Sequence, residues 1–569
     1  MGVSEQAEAV RTRAGKRDAS PRWRVPLVAT AVVGPLYILW AGLLATGGGD
    51  LAAQLAWAGF MERHPASAYN LSWYGGTHTA NYSLLTPPLM AVFGVRAVSV
   101  AAGLSGAWVL ACLFVRSGVP RPVWPAVVGA LALWCNVASG RTTFALGVAI
   151  GLLAVLYVRR SAIAAVCAAL ATMASPVAGL FLLVAGAGYL LDRQWRKGAA
   201  LVLPPFVVVG AVTLLFPFQG EQPMATGKLW LPLAVSAAVA VAAPRAWPVV
   251  RYGAGVYGVG VVLTYLIASP IGTNVERLVG LVGPPVLLAA VLASGSGNGG
   301  LDRLNGRDRL TARDPLRARV RQGGLHKLGE LVDRGGLLLA VLAIALVMNT
   351  HWLIDKTEDD LAVSNDVPVW AAHTDGVVRA LERLGADRTR VEVVPARNHR
   401  EATALAPHIN MARGWNRQLD VERGRLFYDG SLTGTTYRQW LDRWAVGFVV
   451  LHHGRPDGPA EGEAAIVRSG PGWLERVWQD EGWTVYRVRD AVPLAAAPAT
   501  VVRGDDAELV VRMPAAGSVT VRVAYSPWLQ AKGACLRQEG EWTRLTVPRA
   551  GEYRLESPYR LPRSAGSDC

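Results

Sequence analysis

Length, composition and charge bound what this chain can be. Of its 569 residues, 52% are hydrophobic and only 17% are charged. The apolar residues come in long uncharged blocks separated by short arginine-rich clusters, an arrangement that a soluble core does not require. The composition therefore predicts an integral membrane protein and argues against a purely soluble one.

The apolar blocks occupy the region up to about residue 354. The first, 25–46, carries no charge and is long enough as a helix to cross a hydrocarbon core about 30 Å thick. Similar blocks follow near 95–115, 122–140, 142–158, 161–175, 177–191, 199–216, 229–243, 252–270, 278–295 and 336–354. The sequence thus predicts a membrane α-helical bundle of about 11 transmembrane helices within residues 25–354.

Charges between the blocks predict the orientation, because short cytoplasmic loops accumulate Lys and Arg while translocated loops do not. With the N-terminus inside, the cytoplasmic segments hold 24 basic residues and the opposite loops hold five. Those segments are the tail 1–24, the loops 116–121, 159–160, 192–198 and 244–251, and the linker 296–335. We expect a multi-pass protein of the cytoplasmic (inner) membrane, with everything after about residue 355 outside the cytoplasm.

The net charge of +15 does not indicate a nucleic-acid partner. Residues 355–569 carry 28 basic and 29 acidic side chains, a difference of −1, so the excess belongs to the membrane half and its loops. The linker 296–335 is expected to be solvated, with contact to anionic lipid headgroups as the alternative. We therefore expect the lipid bilayer, and no nucleic acid, as a partner.

Beyond the last block, the pattern changes to that of a folded extracytoplasmic domain. Residues 355–495 suggest an α/β subdomain, with strands at 391–395 and 447–451 and a helix near 434–444. Residues 496–569 contain short strands punctuated by Gly, Pro and Asp, which is typical of a β-sandwich.

Cysteine positions agree with this topology. Cys112, Cys135 and Cys167 fall in predicted spans, where cysteine behaves as a small hydrophobic residue. Cys535 and Cys569 fall in the exported region, and we predict a disulfide between them; two free thiols are the alternative.

The first external loop, 47–84, is long and rich in polar and aromatic groups. The groups in it that are suited to sugars or phosphates are Gln54, Arg63, His64, Trp73, Tyr74, His78, Asn81 and Tyr82. In the membrane half, the predicted outer carboxylates are Asp50, Glu62, Glu221 and Glu276, and two of these lie in this loop.

The order of parts resembles the GT-C superfamily of membrane glycosyltransferases, which use polyprenyl-phosphate sugars on the outer membrane face. It consists of a first span, an acidic residue on an amphipathic segment (GGGDLAAQLAWAGFMERHP, 47–65), an aromatic stretch (SWYGGTHTANYSLLTPP, 72–88), further spans and an exported domain. GRTTFALG at 140–147 and ARGWNRQLD at 412–420 make the chain most similar to the actinobacterial type. The resemblance implies a cell-envelope glycan or glycolipid acceptor.

The resemblance also implies that Asp50 is the catalytic base, which would accept the proton of an attacking acceptor hydroxyl. Glu62 is the second candidate for this role. Outer cationic or hydrogen-bonding groups that suit the departing lipid phosphate are Arg141, Arg277, His78 and Lys228. Trp73 with Tyr74 would suit stacking on a sugar ring. Further residues expected to line the site are Gln54, Arg63, Tyr82, Asn274 and Glu276 in the membrane half and Arg413, Trp415 and Arg417 in the exported region.

Each assignment has a structural alternative. Asp50 could be only a helix N-cap, Glu276 could only neutralise Arg277, and the 412–420 loop could only dock the exported region. Four histidines of that region, His399, His408, His452 and His453, are expected to be ordinary core or surface residues. Mg²⁺ or Mn²⁺ is a possible cofactor, although no metal-ligand spacing occurs. The rival functions are a non-catalytic membrane scaffold and a transporter of the major-facilitator type.

Overall fold

The structure is a computed structural model that describes residues 23–298 and 315–560. Most of the predicted tail 1–24, the centre of the linker 296–335, and Cys569 lie outside the described residues. Cys535 is disulfide-bonded, but the predicted pairing with Cys569 stays a prediction. Cys112, Cys135 and Cys167 are free thiols.

The region up to residue 365 is almost entirely helical. Its helices are α1 Arg24–Leu39, which continues as a π-helical turn Trp40–Leu44, α2 Asp50–Arg63, α3 Thr79–Tyr82, α4 Thr86–Phe93, α5 Val95–Arg116, α6 Val123–Ala138, α7 Thr142–Leu156, α8 Ser161–Ala174, α9 Pro176–Leu191, α10 Trp195–Leu215, α11 Trp230–Ala242, α12 Pro248–Leu266, α13 Glu276–Asn298 and α14 Pro315–Asn365.

Six helices in the described residues are long and apolar enough to cross a membrane, by length and composition. These are Arg24–Leu44, Val95–Arg116, Trp195–Leu215, Pro248–Leu266, Gly272–Ser294 and Gly335–Asn365. The other five predicted blocks form shorter apolar helices: Val123–Ala138, Thr142–Leu156, Ser161–Ala174, Pro176–Leu191 and Thr226–Ala242. At 1.5 Å per residue these are only about 21–26 Å long, less than a hydrocarbon core. The number of about eleven spans is therefore not confirmed.

The C-terminal region, residues 366–560, begins with an α/β subdomain. Its helices are α15 Val369–Ala372, α16 Asp375–Arg383, α17 Glu401–Ala404, α18 Arg417–Arg423, α19 Gly434–Arg443 and α20 Glu461–Arg468. Strands β3 Arg390–Val393, β4 Val446–His452, β5 Leu474–Gln479 and β6 Trp483–Val488 form a sheet in the order β3-β4-β6-β5. Strands β3 and β4 are parallel and the other two pairs are antiparallel. Both strands predicted here, at 391–395 and 447–451, are present.

Two antiparallel sheets complete the region. Their strands are β7 Thr500–Gly504, β8 Leu509–Met513, β9 Gly517–Ala524, β10 Gln530–Ala531, β11 Cys535–Glu539, β12 Trp542–Val547 and β13 Gly551–Glu556. The sheet orders are β10-β13-β8-β7 and β11-β12-β9. Residues of both sheets, such as Val511 and Val521, share one buried core, as in the predicted sandwich.

The first external loop lies between the two halves, and most of it is buried. Its short strands β1 Tyr69–Asn70 and β2 Thr77–His78 pair with each other, and Tyr69 contributes to the sandwich core. Helix α2 packs against α4 on one side and α17 on the other. This loop and the membrane-type helices meet the C-terminal region along one surface, which we call the seam. The loop's polar and aromatic groups mainly fill the seam, whereas the sequence had suggested an open binding surface.

Candidate active site

A cavity of about 360 Å³ opens on the seam, and we call it the seam cavity. Three parts of the chain form its walls: the start of α2, the end of α14, and loops of the α/β subdomain. Its lining residues are Gly49, Asp50, Ser139, Lys356, Asp360, Val363, Arg397, His399, Trp415, Arg417, Arg455, Pro456, Asp457, Gly458 and Glu461.

Asp50 enters the cavity from the first turn of α2. Gly49 is the N-cap, with a φ of +63° that glycine adopts readily, and no side chain caps this helix. Asp50 is therefore the first helical residue, where a carboxylate interacts favourably with the helix dipole, and its interpretation as an N-cap is wrong. The Gly49 N–H donates to the Asn398 carbonyl at 2.7 Å, which fixes this turn against the C-terminal region.

Arg141 joins two carboxylates of the cavity. Its Nε donates to Asp50 Oδ2 at 3.0 Å and its Nη2 donates to Asp360 Oδ2 at 2.8 Å. Burial raises the pKa of the Asp50 carboxyl, but the charges of Arg141 and Arg277 outweigh burial and hold that pKa below its ordinary value. Asp50 is thus ionised at neutral pH, and its side chain remains 34% exposed to the cavity.

Helix α14 brings Lys356 and Asp360 to the cavity by extending past its apolar part. The 31 residues of Gly335–Asn365 are about 46 Å long as a helix, well beyond a hydrocarbon thickness of about 30 Å. Lys356 and Asp360 are four residues apart, so they share a helix face, and Lys356 Nζ lies 2.6 Å from Asp360 Oδ1.

Two loops of the mixed sheet supply the opposite wall. Because β3 and β4 are parallel, the loops that follow them leave the same edge of the sheet. The first loop carries Arg397 and His399 and the second carries Arg455 and Asp457. The Arg397 N–H donates to the Arg455 carbonyl at 2.9 Å, which holds the two loops together.

Trp415 lies between the two walls. Its indole N–H donates to the Gly49 carbonyl at 3.1 Å, and its ring stacks on the His399 imidazole with centroids 3.5 Å apart. The Arg417 guanidinium lies 4.9 Å from the same indole and pairs with Asp457 at 2.8 Å. Burial raises the pKa of the Asp457 carboxyl, but the charges of His399 and Arg417 outweigh it and leave that pKa below its usual range.

Two cationic side chains of the cavity are available to a ligand. Arg397 and Arg455 are exposed, and neither has an ion-pair partner among the described residues. By contrast, Asp50, Asp360 and Asp457 are already paired with Arg141, Lys356 or Arg417. The arrangement therefore suits an anionic group, such as a phosphate, placed beside the two free guanidinium groups.

Several residues expected to bind substrate are instead buried and bonded to other side chains of the first loop and the membrane-type helices. Gln54 is 2% exposed and accepts hydrogen bonds from the amide and hydroxyl of Thr143, at 3.2 and 2.6 Å, while its amide donates to Tyr82. Trp73 is also 2% exposed and packs edge-on against Trp57, with centroids 4.9 Å apart. These side chains are not available for a sugar ring.

Two other predicted residues of the first loop contact the C-terminal region. Tyr74 is buried and donates to the Gly414 carbonyl at 2.6 Å. Arg63 pairs with Asp506 of the sandwich at 2.6 Å. Glu62 is exposed near the far end of α2, about 18 Å along the helix from Asp50, and does not line the cavity.

His78 lines a second cavity, of about 390 Å³, between the first loop and the sandwich. Its Nδ1–H donates to the Ala68 carbonyl at 3.1 Å, and its Nε2 accepts from the Ser526 hydroxyl at 3.1 Å. Burial lowers the pKa of His78 to about 4, so the ring is neutral at pH 7. His78 therefore has structural hydrogen-bond partners and carries no charge that would attract the predicted phosphate.

Three other predicted residues have structural partners. Arg413 is 2% exposed and donates to Glu392 at 2.8 and 2.6 Å and to Glu463, so it organises the subdomain core rather than facing a ligand. Asn274 is buried and donates to Gln222 at 3.0 Å. Arg277 stacks 5.5 Å from the Phe144 ring and adds its charge near Asp50.

Glu276 and Lys228 are not among the residues that line the seam cavity. Glu276 is the first residue of α13, and Lys228 is exposed in a short 3₁₀ turn. Asp50, Trp415 and Arg417 are thus the predicted residues that do line it, and Arg141 contacts Asp50 directly.

Sequence reasoning missed half of the site. His399 was expected to be ordinary, yet it forms part of the cavity wall, as do Arg455 and Asp457. The signal that could have found them was present: polar clusters follow both predicted strands, in PARNHR (395–400) and HHGRPDGP (452–459). The polar extension IDKTEDD (354–360) after the last apolar block was a similar signal for Lys356 and Asp360.

The donor set of the seam cavity does not fit Mg²⁺ or Mn²⁺. These ions take oxygen ligands, but the three aspartates here are already paired with arginine or lysine. Glu461 is the one lining carboxylate without an ion pair among the described residues, and no group of three metal-ligating side chains forms in this cavity. Within the described residues, His64, Asp505 and Asp506 also have ligand atoms within 4.8 Å of one another. However, His64 and Arg63 already bind Asp506, at 2.7 and 2.6 Å.

Comparison with known proteins adds one finding. Residues 496–569, which include the sandwich, match a family described as a domain of unknown function (DUF8823). No curated protein matches the chain. The match lends weight to a separate unit beginning near residue 496 and assigns no activity to it.

Proposed function

We propose that this chain is a membrane glycosyltransferase that moves a sugar from a polyprenyl-phosphate donor to a cell-envelope glycan or glycolipid acceptor. In this proposal the protein has a GT-C-like architecture with about eleven spans, its N-terminus is cytoplasmic, and the C-terminal region is extracytoplasmic. The six long apolar helices, the five shorter ones and the bias of basic residues between them support the topology.

One observation carries the proposal: an ionised carboxylate and two guanidinium groups without an ion-pair partner in the described part of the chain face one cavity at the seam. Asp50 comes from the turn after the first apolar helix, while Arg397 and Arg455 come from the C-terminal region. A lipid-borne sugar phosphate needs such a place, because its lipid stays in the bilayer and its phosphate lies at the membrane edge.

In the proposed reaction, the acceptor hydroxyl attacks the anomeric carbon as the sugar–phosphate bond breaks. Asp50 accepts the hydroxyl proton in the transition state, which a positioned carboxylate promotes. The depressed pKa of Asp50 keeps it in the proton-accepting form. Arg397, Arg455 and Lys356 stabilise the charge that develops on the departing phosphate.

A specific observation favours a second candidate, a non-catalytic scaffold that binds lipid-linked precursors. The Asp50 carboxylate already forms an ion pair with Arg141, and a carboxylate held in this way can have a purely structural role. In a scaffold the cavity would bind the lipid phosphate without turnover.

The test is transfer from radiolabelled polyprenyl-phosphate mannose, arabinose and glucose in membranes that contain the protein or its Asp50→Asn form. We expect the substitution to reduce transfer at least about 100-fold while lipid binding persists. Asp359→Asn is the matched control, because Asp359 is exposed on α14 and does not line the cavity. Transfer that survives in Asp50→Asn would exclude Asp50 as the base, and no transfer from any donor by a folded protein would favour the scaffold.

A further inference from the structure

His399 is held in an unusual position in the wall of the seam cavity. Its backbone has a φ of +52°, in the left-handed region that non-glycine residues seldom occupy. The residue is only 5% exposed, and its ring is fixed by the stack on Trp415. Its Nε2 lies 3.8 Å from Asp457 Oδ2, and both residues line the cavity.

A second carboxylate lies behind the ring. Glu401 is 2% exposed, and its Oε1 lies 3.5 Å from His399 Nδ1. Within the described part of the chain, Nδ1 and Glu401 Oε2 are both sealed from solvent without a hydrogen-bond partner. Buried polar atoms left in this way cost stability, so packing alone does not explain the arrangement. A carboxylate behind one ring nitrogen orients the imidazole, and the other nitrogen, Nε2, lies on the side of Asp457, which lines the cavity.

The same wall holds the proposed base. The Asn398 carbonyl, one residue before His399, accepts the Gly49 N–H at 2.7 Å, one residue before Asp50. The indole of Trp415, which stacks on the His399 ring, donates to the Gly49 carbonyl. These two hydrogen bonds on Gly49 place Asp50 and His399 beside the same space.

We propose that His399, oriented by Glu401, is a general acid that protonates the departing lipid phosphate. The inference rests on the proposed function. As the acceptor oxygen bonds to the anomeric carbon, the sugar–phosphate bond breaks and its electron pair stays on the phosphate oxygen. That oxygen takes the proton from His399 Nε2, and Asp50 takes the acceptor proton. Solvent then returns a proton to His399 and removes one from Asp50.

Charged groups on every neighbouring element act on this ring. Glu401 and Asp457 place negative charge beside the ring, and the cavity arginines and Lys356 place positive charge there. The charged residues that face His399 or share its cavity are Glu401, Asp457, Glu461, Arg397, Arg417, Arg455, Asp50, Lys356 and Asp360. A bound phosphate dianion would accept a hydrogen bond from Nε2–H, so we expect the complex to take up a proton when it forms.

The first experiment measures proton uptake when the purified full-length protein binds farnesyl phosphate. Calorimetry at pH 8, in buffers of different ionisation enthalpy, gives the number of protons taken up. At that pH a phosphate monoester is mostly a dianion. We expect uptake of a large fraction of a proton by the wild type, its loss in His399→Gln, and its reduction in Glu401→Gln. His408→Gln, an exposed histidine of the same subdomain, should match the wild type.

The second experiment compares transfer from polyprenyl monophosphate and diphosphate sugars. A diphosphate is a less basic leaving group and needs less protonation, so the defect of His399→Gln, about 100-fold or more with the monophosphate, should shrink with the diphosphate. The defect of Asp50→Asn should not shrink. Equal defects on both donors, unchanged proton uptake in His399→Gln, or no binding of farnesyl phosphate by the wild type would overturn the proposal.

The two proposals can fail separately. If proton uptake depends on His399 but no donor supports transfer, the contact between His399 and the lipid phosphate is supported. The proposal that the protein is a transferase is then refuted. If transfer depends on Asp50 but not on His399, the transferase proposal is supported and the role of His399 as a general acid is refuted.

Discussion

We expect Arg400 to stabilise the closed seam more than any other single residue, and the substitution Arg400→Ala tests this. Its guanidinium donates to the Thr46 carbonyl at 2.6 Å, the Thr46 hydroxyl at 2.8 Å, the Ser364 carbonyl at 2.8 Å and the Asp366 carbonyl at 2.9 Å. It thereby ties the end of the first apolar helix and the end of α14 to the C-terminal region. Arg400 itself is 7% exposed.

The magnitude follows from the three of these hydrogen bonds that cross the seam, because Asp366 belongs to the C-terminal region itself. A hydrogen bond to a charged donor contributes about 1.5–3 kcal/mol, which gives a ceiling of about 4.5–9 kcal/mol for the three. Such contributions are not additive, and water entering the emptied space would solvate some of the released carbonyls. We therefore expect the free energy of opening the seam to fall by about 3 kcal/mol, which corresponds to roughly 100-fold.

Hydrogen exchange at the Gly49 amide is the assay, because that amide donates across the seam to Asn398. Its protection factor should fall roughly 100-fold in Arg400→Ala if exchange occurs through opening of the seam. Arg383→Ala is the control, because Arg383 is exposed and its Nε donates only within α16, to the Arg379 carbonyl at 3.2 Å. Equal protection factors for the Gly49 amide in the two variants would show that Arg400 does not stabilise the closed seam in this way.

Two further predictions concern charge. Arg141→Gln removes the guanidinium that lowers the pKa of Asp50, so the acid limb of the pH–transfer profile should move to higher pH; an unmoved limb would contradict this. The His64–Asp506 pair should stabilise the sandwich against α2 mainly between about pH 4 and 6.5. The hydrogen bond to Asp506 raises the pKa of His64, so this contribution is full below about pH 6.5 and is lost as pH rises through the raised pKa. Burial raises the pKa of Asp506, but its bonds to His64 and Arg63 outweigh burial and lower it, so its contribution is lost as pH falls below about 4. Exchange of the Leu71 amide, which donates to the Asp506 carbonyl, measures both limbs, and His64→Gln should remove only the alkaline one.

The sequence predicted the positions of the helices and strands well because their signals are local. An uninterrupted apolar block predicts its own helix, as 25–46 does for α1. The short runs VEVVP and GFVVL predict β3 and β4 in the same way. Length was the weaker part of that prediction. The block 122–140 looks as long as a span, but its helix ends at Ala138, before the tight turn at Gly140, whose φ is +78°.

The use of the first external loop could not be predicted in the same way. Trp73, Tyr74 and Gln54 have the composition of a sugar site, but Tyr74 donates to Gly414 and Gln54 accepts from Thr143, both distant in the chain. Trp73 packs on Trp57 of the same loop. Polar and aromatic side chains satisfy one another in a buried interface as readily as they bind a sugar. Composition alone cannot distinguish these uses.

The sequence by itself therefore determined that the chain has a membrane-type helical half, a mixed α/β and all-β half, and a carboxylate, Asp50, just after the first apolar helix. Only the tertiary structure decided what Asp50 faces. Arg141 joins it to Asp360, and the parallel pairing of β3 with β4 brings His399 and Asp457 to the same cavity. Helix and strand periodicity arise from neighbours along the chain, whereas a site at a seam arises from charges and hydrogen bonds between residues hundreds of positions apart.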